Sequence, residues 1–151
     1  TVNPFADSAN IKFEYILYAE NDVIVPNTFL GYILILDFDG ILKRYERYSI
    51  DKYADLIEYK LTSVMKKDLA FLDTINMIFN NFGFSNYPAE IPFERKPDEI
   101  PTVPCSGTSI SFRNLKNESL KKVDISGCFK TGKYPQNFDE FYSKINKLFF
   151  N

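Results

Sequence analysis

The chain has 151 residues, no histidine and no tryptophan, but 15 Phe and 10 Tyr. Its length points to one domain with a core that needs no metal or disulfide staple. The missing histidine removes Ser-His-Asp and Cys-His catalysis and the ordinary neutral-pH proton shuttle. A formal net charge of −2, with basic pairs (Lys43-Arg44, Lys66-Lys67, Lys121-Lys122) scattered among acidic residues, argues against a nucleic-acid face.

Residues 1–10 are mostly small or polar. They read as a flexible tether, as after a removed signal or a lipidated N-terminus, ahead of a single domain over 11–151. No apolar run reaches the roughly 18–20 residues of a membrane span. Residues 11–19 alternate, which predicts a half-buried strand with Phe13, Tyr15 and Leu17 inward and Lys12 and Glu14 outward. Turn signals follow at Asn21-Asp22 and Pro26-Asn27.

Residues 31–48 read as a hairpin about Asp39-Gly40, a preferred type I′ pair because both turn residues need positive φ. A two-residue turn there sets Phe38 opposite Ile41, Leu36 opposite Lys43 and Leu34 opposite Tyr45. It assigns Leu34, Leu36, Phe38, Ile41 and Tyr45 to the core face and turns Asp37 outward, diagonal to Arg44. Residues 51–65 fit either a helix or a strand, with a strand over 55–61 preferred. Residues 66–81 carry the helical stripe Phe71, Leu72, Ile75, Ile78 and Phe79, and Gly83 stands where a left-handed C-terminal residue belongs.

Residues 85–104 hold Pro88, Pro92, Pro97, Pro101 and Pro104, five of the eight prolines. Few ladder hydrogen bonds are possible there, and a loop of this length is usually functional or disordered. Strands are predicted over 108–112 and 120–126, with Ile110 opposite Val123 and the turn at Lys116-Asn117-Glu118-Ser119. The last segment is an amphipathic helix bearing Phe138, Phe141, Tyr142, Ile145, Leu148 and Phe149. Asn137 and Glu140 have capping-box spacing at its start. This order predicts an α+β domain: a single antiparallel sheet of about five to six strands with two helices packed on one face.

The run Ile35-Leu36-Asp37-Phe38-Asp39-Gly40-Ile41-Leu42 resembles the first motif of the haloacid-dehalogenase phosphatases. That resemblance implies Asp37 as nucleophile, Asp39 as general acid/base and a magnesium ion. It covers eight residues, places Ile41 where the family has Thr, and lacks the βαβ alternation of that fold. The hairpin reading is preferred. As a calcium loop the run fails, because Ile41 and Lys43 occupy ligand places. No metal and no cofactor is expected, and the chain is read as not an enzyme.

Cys105 and Cys128 flank the final hairpin symmetrically, so the spacing favours a disulfide, with two buried thiols as the alternative. A bridge would indicate an oxidising compartment: periplasmic, cell-surface or extracellular. Asn117-Glu118-Ser119 is a glycosylation sequon at a turn, without meaning in most bacterial proteins. The tyrosines fit ordinary sheet packing first and a protein-binding surface second. In the proline-rich loop, Glu94, Arg95, Lys96, Asp98 and Glu99 could be presented to a partner on a stiff segment at low entropic cost. A passive crossover is the other reading of that loop.

The layout resembles small bacterial inhibitor or lipoprotein domains of the emfourin kind, which inhibit thermolysin-like proteases. The resemblance runs from the Asp39-Gly40 hairpin through the helix ending in Phe82-Gly83-Phe84 to the final hairpin and the helix after Pro135. It implies a non-enzymatic binding role. The expected function is therefore that of a secreted or periplasmic domain occluding a protein partner, such as a secreted enzyme or toxin, in the manner of an inhibitor or immunity protein. A structural envelope lipoprotein domain and a magnesium-dependent phosphatase are the alternatives.

Overall fold

The computed structural model describes residues 2–19, 25–51, 56–91, 107–125 and 137–150. The strands are β1 (Ile11–Tyr18), β2 (Phe29–Asp37), β3 (Ile41–Ser49), β4 (Ile57–Lys66), β5 (Glu90–Ile91), β6 (Gly107–Phe112) and β7 (Lys121–Ile125). The helices are α1 (Leu69–Asn81) and α2 (Phe138–Phe150). The strands form one seven-stranded sheet in the order β4-β3-β2-β1-β6-β7-β5. Neighbours run antiparallel except β5, which lies parallel to β7. The α+β class with two helices holds, and the sheet has seven strands rather than five to six because β5, inside the stretch read as a proline-rich loop, adds to the edge beside β7.

Both helices pack on one face, where Ile75 and Phe79 of α1 and Phe138, Phe141 and Ile145 of α2 meet the sheet. Phe79 sits at the centre. Its ring stacks on Phe112 at 4.1 Å and meets Phe84, Phe141 and Phe13 edge-on at 4.8, 5.1 and 5.8 Å. Ring pairs at such distances add directional attraction to the burial of apolar area. The opposite face carries a smaller buried cluster of Ile11, Ile16, Ile33, Ile35 and Tyr45, with Phe5 and Tyr59 packed against it.

The first hairpin differs from expectation by one residue. Leu36 pairs with Leu42, Ile35 with Lys43, Leu34 with Arg44 and Ile33 with Tyr45. The loop is therefore Phe38-Asp39-Gly40, with Gly40 at φ +88°. Asp37 Oδ1 accepts hydrogen bonds from the main-chain N–H of Asp39 and Ile41, both at 2.9 Å. The longer loop gives those two donors a carboxylate and leaves only glycine at positive φ. A one-residue shift exchanges faces. Tyr45 consequently joins Ile33 on the face away from the helices, while Leu34, Leu36 and Leu42 face them. Phe38 and Ile41 are half-buried at the loop.

Strand β1 is covered on both sides, so Lys12 and Glu14 are buried rather than outward. The reason is its position between β2 and β6, with a packed cluster on each face. Gly31 lies on β2 at φ +118°, and a Cβ there would stand 1.8 Å from the Leu17 carbonyl oxygen. Only glycine permits that approach.

Residues 66–68 do not join α1. Lys66 ends β4, Lys67 N–H donates to the Gly40 carbonyl at 2.7 Å, and Asp68 caps the helix by accepting from Phe71 N–H at 2.9 Å. The ambiguous stretch before it is a strand, as preferred, but longer. Gly83 has φ +66° and ends the α1 region as expected. Asn137 also has a positive φ, +65°, outside the extended backbone of a capping-box N-cap. Asparagine tolerates that region better than most residues, and its carbonyl accepts from Phe141 N–H at 3.0 Å.

Residues 4–10, expected as part of a flexible tether, pack against the sheet. Pro4 is buried, Phe5 meets Tyr59 edge-on at 6.4 Å, and Arg113 donates to the carbonyls of Ser8 and Ala9 at 2.9 and 2.7 Å.

Candidate interaction surface

The partner-binding residues expected from sequence, Glu94, Arg95, Lys96, Asp98 and Glu99, lie outside the described residues, as do Cys105 and Cys128. Tyr87 and Ile91 are buried, and Ile91 pairs with Ile125. In the final hairpin Ile110 pairs with Val123 and Thr108 with Ile125. This is the expected register.

Asp37 and Asp39 come together only as parts of a turn. Asp37 is occupied by the two N–H groups of its own loop, and Asp39 Oδ2 accepts from Asn10 Nδ2 at 3.1 Å. Arg44 does not reach Asp37. It lies 4.3 Å from the centre of the Tyr32 ring and 3.9 Å from Glu46 Oε1. Both neighbours of β2 run antiparallel to it, unlike the parallel sheet that the phosphatase resemblance implies. Among the described residues, no three His, Cys, Asp or Glu side chains cluster so as to hold a metal.

Three ionisable groups shifted by burial sit on the central strand, two of which, Lys12 and Glu14, the alternation had placed outward. Lys12 Nζ donates to the carbonyls of Asn114 and Arg113 at 2.9 and 3.4 Å, between the rings of Phe38 and Phe112. Burial pushes its pKa down, and the Glu118 carboxylate opposes that shift. Burial pushes Glu14 above its ordinary value, with Lys122 opposing. Tyr15 is pushed up as well, first by burial and then by its 3.1 Å contact with the Tyr142 hydroxyl. Lys12 is held by main-chain carbonyls and Tyr15 by a core hydroxyl, an arrangement that anchors the sheet. A cleft of about 380 Å³ opens between the end of α1 and the 113–119 turn. Its Glu118 carboxylate is already held by the N–H groups of Asn114 and Leu115 at 3.2 and 3.4 Å.

The least satisfied surface is strand β4. It is an edge strand of ten residues, and beyond it no strand lies among the described residues. The unpaired N–H and C=O groups of such an edge form a template for another chain. Leu61, Val64 and Met65 on it are 44, 55 and 48% exposed. Pairing switches from Arg44↔Ser63 to Tyr45↔Leu61, which leaves Thr62 as a bulge. Across that bulge, Tyr59, Leu61 and Val64 share the face of Tyr45 and Lys43, while Lys60 and Met65 share the helix face with Glu46 and Leu42.

This end of the sheet is basic although the chain is not. β3 and β4 together hold five cations (Lys43, Arg44, Arg47, Lys60, Lys66) against two carboxylates, Glu46 and Glu58. Glu46 is moreover engaged, accepting from the Tyr48 hydroxyl beside Arg44. Sequence reading missed this surface because exposed Leu61, Val64 and Met65 resemble core residues until the strand order is known.

No protein-family model matches this chain, and no curated protein matches it.

Proposed function

We propose that this protein is a non-enzymatic binding domain that acts by contact with a protein partner, in the manner of an inhibitor or immunity protein. The observation that carries the reading is the β4 edge: a ten-residue strand with an unmatched outer side among the described residues and apolar side chains in solvent. An exposed apolar edge of this length is a hazard in isolation and an asset when a partner covers it. The engagement of Asp37 by its own turn supports contact over catalysis. An exported location is part of the same reading and rests on the cysteine pair.

The test is recovery of the tagged full chain from its native host. One protein should accompany it in stoichiometric amount, and Val64→Lys, which places a charge on the exposed edge, should lose that protein while keeping the wild-type circular dichroism. Absence of any stoichiometric partner at every expression level overturns the reading.

A further inference from the structure

We infer that the open face of β3 and β4, the face turned away from the helices, docks on an anionic lipid surface. The inference goes beyond the protein-contact role proposed above and does not depend on it.

Register sorts the charges of these two strands by face. On the helix side Glu46 pairs with Lys60, Tyr48 pairs with Glu58, and Arg44 lies 3.9 Å from Glu46 Oε1. Two cations and two carboxylates balance there. On the open face Ile41 pairs with Lys66, Lys43 with Val64, Tyr45 with Leu61 and Arg47 with Tyr59. That side carries three cations (Lys43, Arg47, Lys66) and no carboxylate from either strand. At the hairpin end, Asp37 is held by the N–H groups of its own turn and Asp39 by Asn10. Val64 and Leu61, 55 and 44% exposed, stand in the same array as the cations.

Aliphatic side chains interleaved with unopposed cations match the boundary between acyl chains and anionic headgroups. The aliphatic groups leave water for the acyl boundary, while lysine stems lie along them and carry the charge to the phosphates. Residues 59–66 run for about 20 Å at the rise of a strand, so the array meets a surface rather than a small ligand.

Other anionic partners fit less well. Nucleic-acid bases stack on exposed rings, but Tyr45 is buried and Tyr59 is half-buried with Phe5 edge-on to it. An acidic protein surface is matched best by arginine forks, and the one arginine on this face is engaged. Arg47 Nη1 donates to the Leu30 carbonyl at 3.1 Å, and its guanidinium lies 4.9 Å from the centre of the Tyr18 ring. Lys43 and Lys66, the latter also donating to the Asp39 carbonyl, are point charges that suit headgroups without fixed geometry. Side chains stand perpendicular to the sheet, whereas the unpaired main-chain groups of β4 lie in its plane. A lipid surface on the face therefore leaves the edge to a protein partner.

The experiment mixes the full chain with vesicles of phosphatidylcholine, with or without about 30% phosphatidylglycerol as the anionic lipid. Binding is expected only with phosphatidylglycerol, and it should fall as salt rises from about 0.05 M to about 0.5 M. Lys43→Gln/Lys66→Gln should weaken it about twentyfold, at about fivefold per cation. Lys144→Gln/Lys147→Gln removes the same charge from exposed positions of α2, across the sheet, and should leave binding unchanged. Because the chain has no tryptophan, Val64→Trp supplies a single reporter whose emission should shift to the blue on anionic vesicles. Circular dichroism checks that each variant is folded.

Failure of the folded wild type to bind anionic vesicles overturns the inference, as does equal binding to both vesicle types. Equal weakening by the α2 pair would show adhesion by net charge alone and overturn the assignment of the face. Unshifted Val64→Trp emission in the bound state would place β4 away from the bilayer, with the same consequence. A soluble acidic protein that is lost on Lys43→Gln/Lys66→Gln, with no vesicle binding by the wild type, assigns the face to protein instead. None of these vesicle results bears on whether a partner accompanies the chain from its host.

Discussion

Glu14 shows how a residue's meaning depends on what covers its strand. From sequence it alternates with Phe13 and Tyr15 and reads as solvent-facing, but it is 8% exposed. Its carboxyl is raised above the ordinary 4.5 by burial, with Lys122 opposing. A raised carboxyl pKa in the folded state means that folding favours the protonated form. The associated stability is fully present below the unfolded value and is lost as pH rises through the raised one. Glu14→Gln removes that loss. The variant should therefore be more stable than the wild type near neutrality, and the gap should close as the pH falls below about 4.5. Urea midpoints between about pH 4 and about pH 7 measure it, and a gap independent of pH would contradict the assignment. Alternation was legible at Glu14. The second buried cluster beneath it was not, because Phe5 and Tyr59, which help to form it, are far apart in sequence.

Elements were more legible than residues. Periodicity and turn residues located the long strands and both helices, because a strand or helix stripe is written within a few consecutive positions. The errors fell at junctions. Residues 66–68 carry no periodic signal of their own, and their assignment depends on Lys67 bonding to Gly40 and Asp68 capping α1. The Asp39-Gly40 turn was found but its length was not, since the choice rests on where the Asp37 carboxylate goes. The final hairpin kept its expected register, which makes the cysteine reading testable. Intact protein from its native compartment should lose two thiols' worth of hydrogen relative to reduced protein, by mass. Cys105→Ser should then lower stability by about 3 kcal/mol on the chain-entropy account of a loop of about 22 residues. Free thiols in the native protein would remove the argument for export.

For the whole molecule, the aromatic surplus visible in the composition resolves into one packed centre. Phe79 is 1% exposed and touches the rings of Phe13, Phe84, Phe112 and Phe141, which come from β1, the turn after α1, β6 and α2. Phe79→Ala should cost about 3–5 kcal/mol. Because the ring joins both helices to the sheet, near-UV and far-UV circular dichroism should lose their signals in one coincident transition. Separate transitions would show that α2 docks independently. The strand order, and with it the identity of the exposed edge, was the part least readable from sequence. Hairpin signals name consecutive neighbours, but the pairing of β1 with β6 joins residues about a hundred positions apart.

That pairing has a consequence during synthesis. The first strand made is the middle of the finished sheet. Until Phe112 has left the ribosome, β1 can gain its β2 neighbour but not β6. The nascent chain therefore exposes β1 as a sheet edge, although in the finished sheet it is covered on both sides. High sequence separation of this kind slows folding and prolongs exposure to aggregation. Moving the chain break ahead of β6 by circular permutation would make β6 before β1, with fewer residues between them, and would shorten that vulnerable interval.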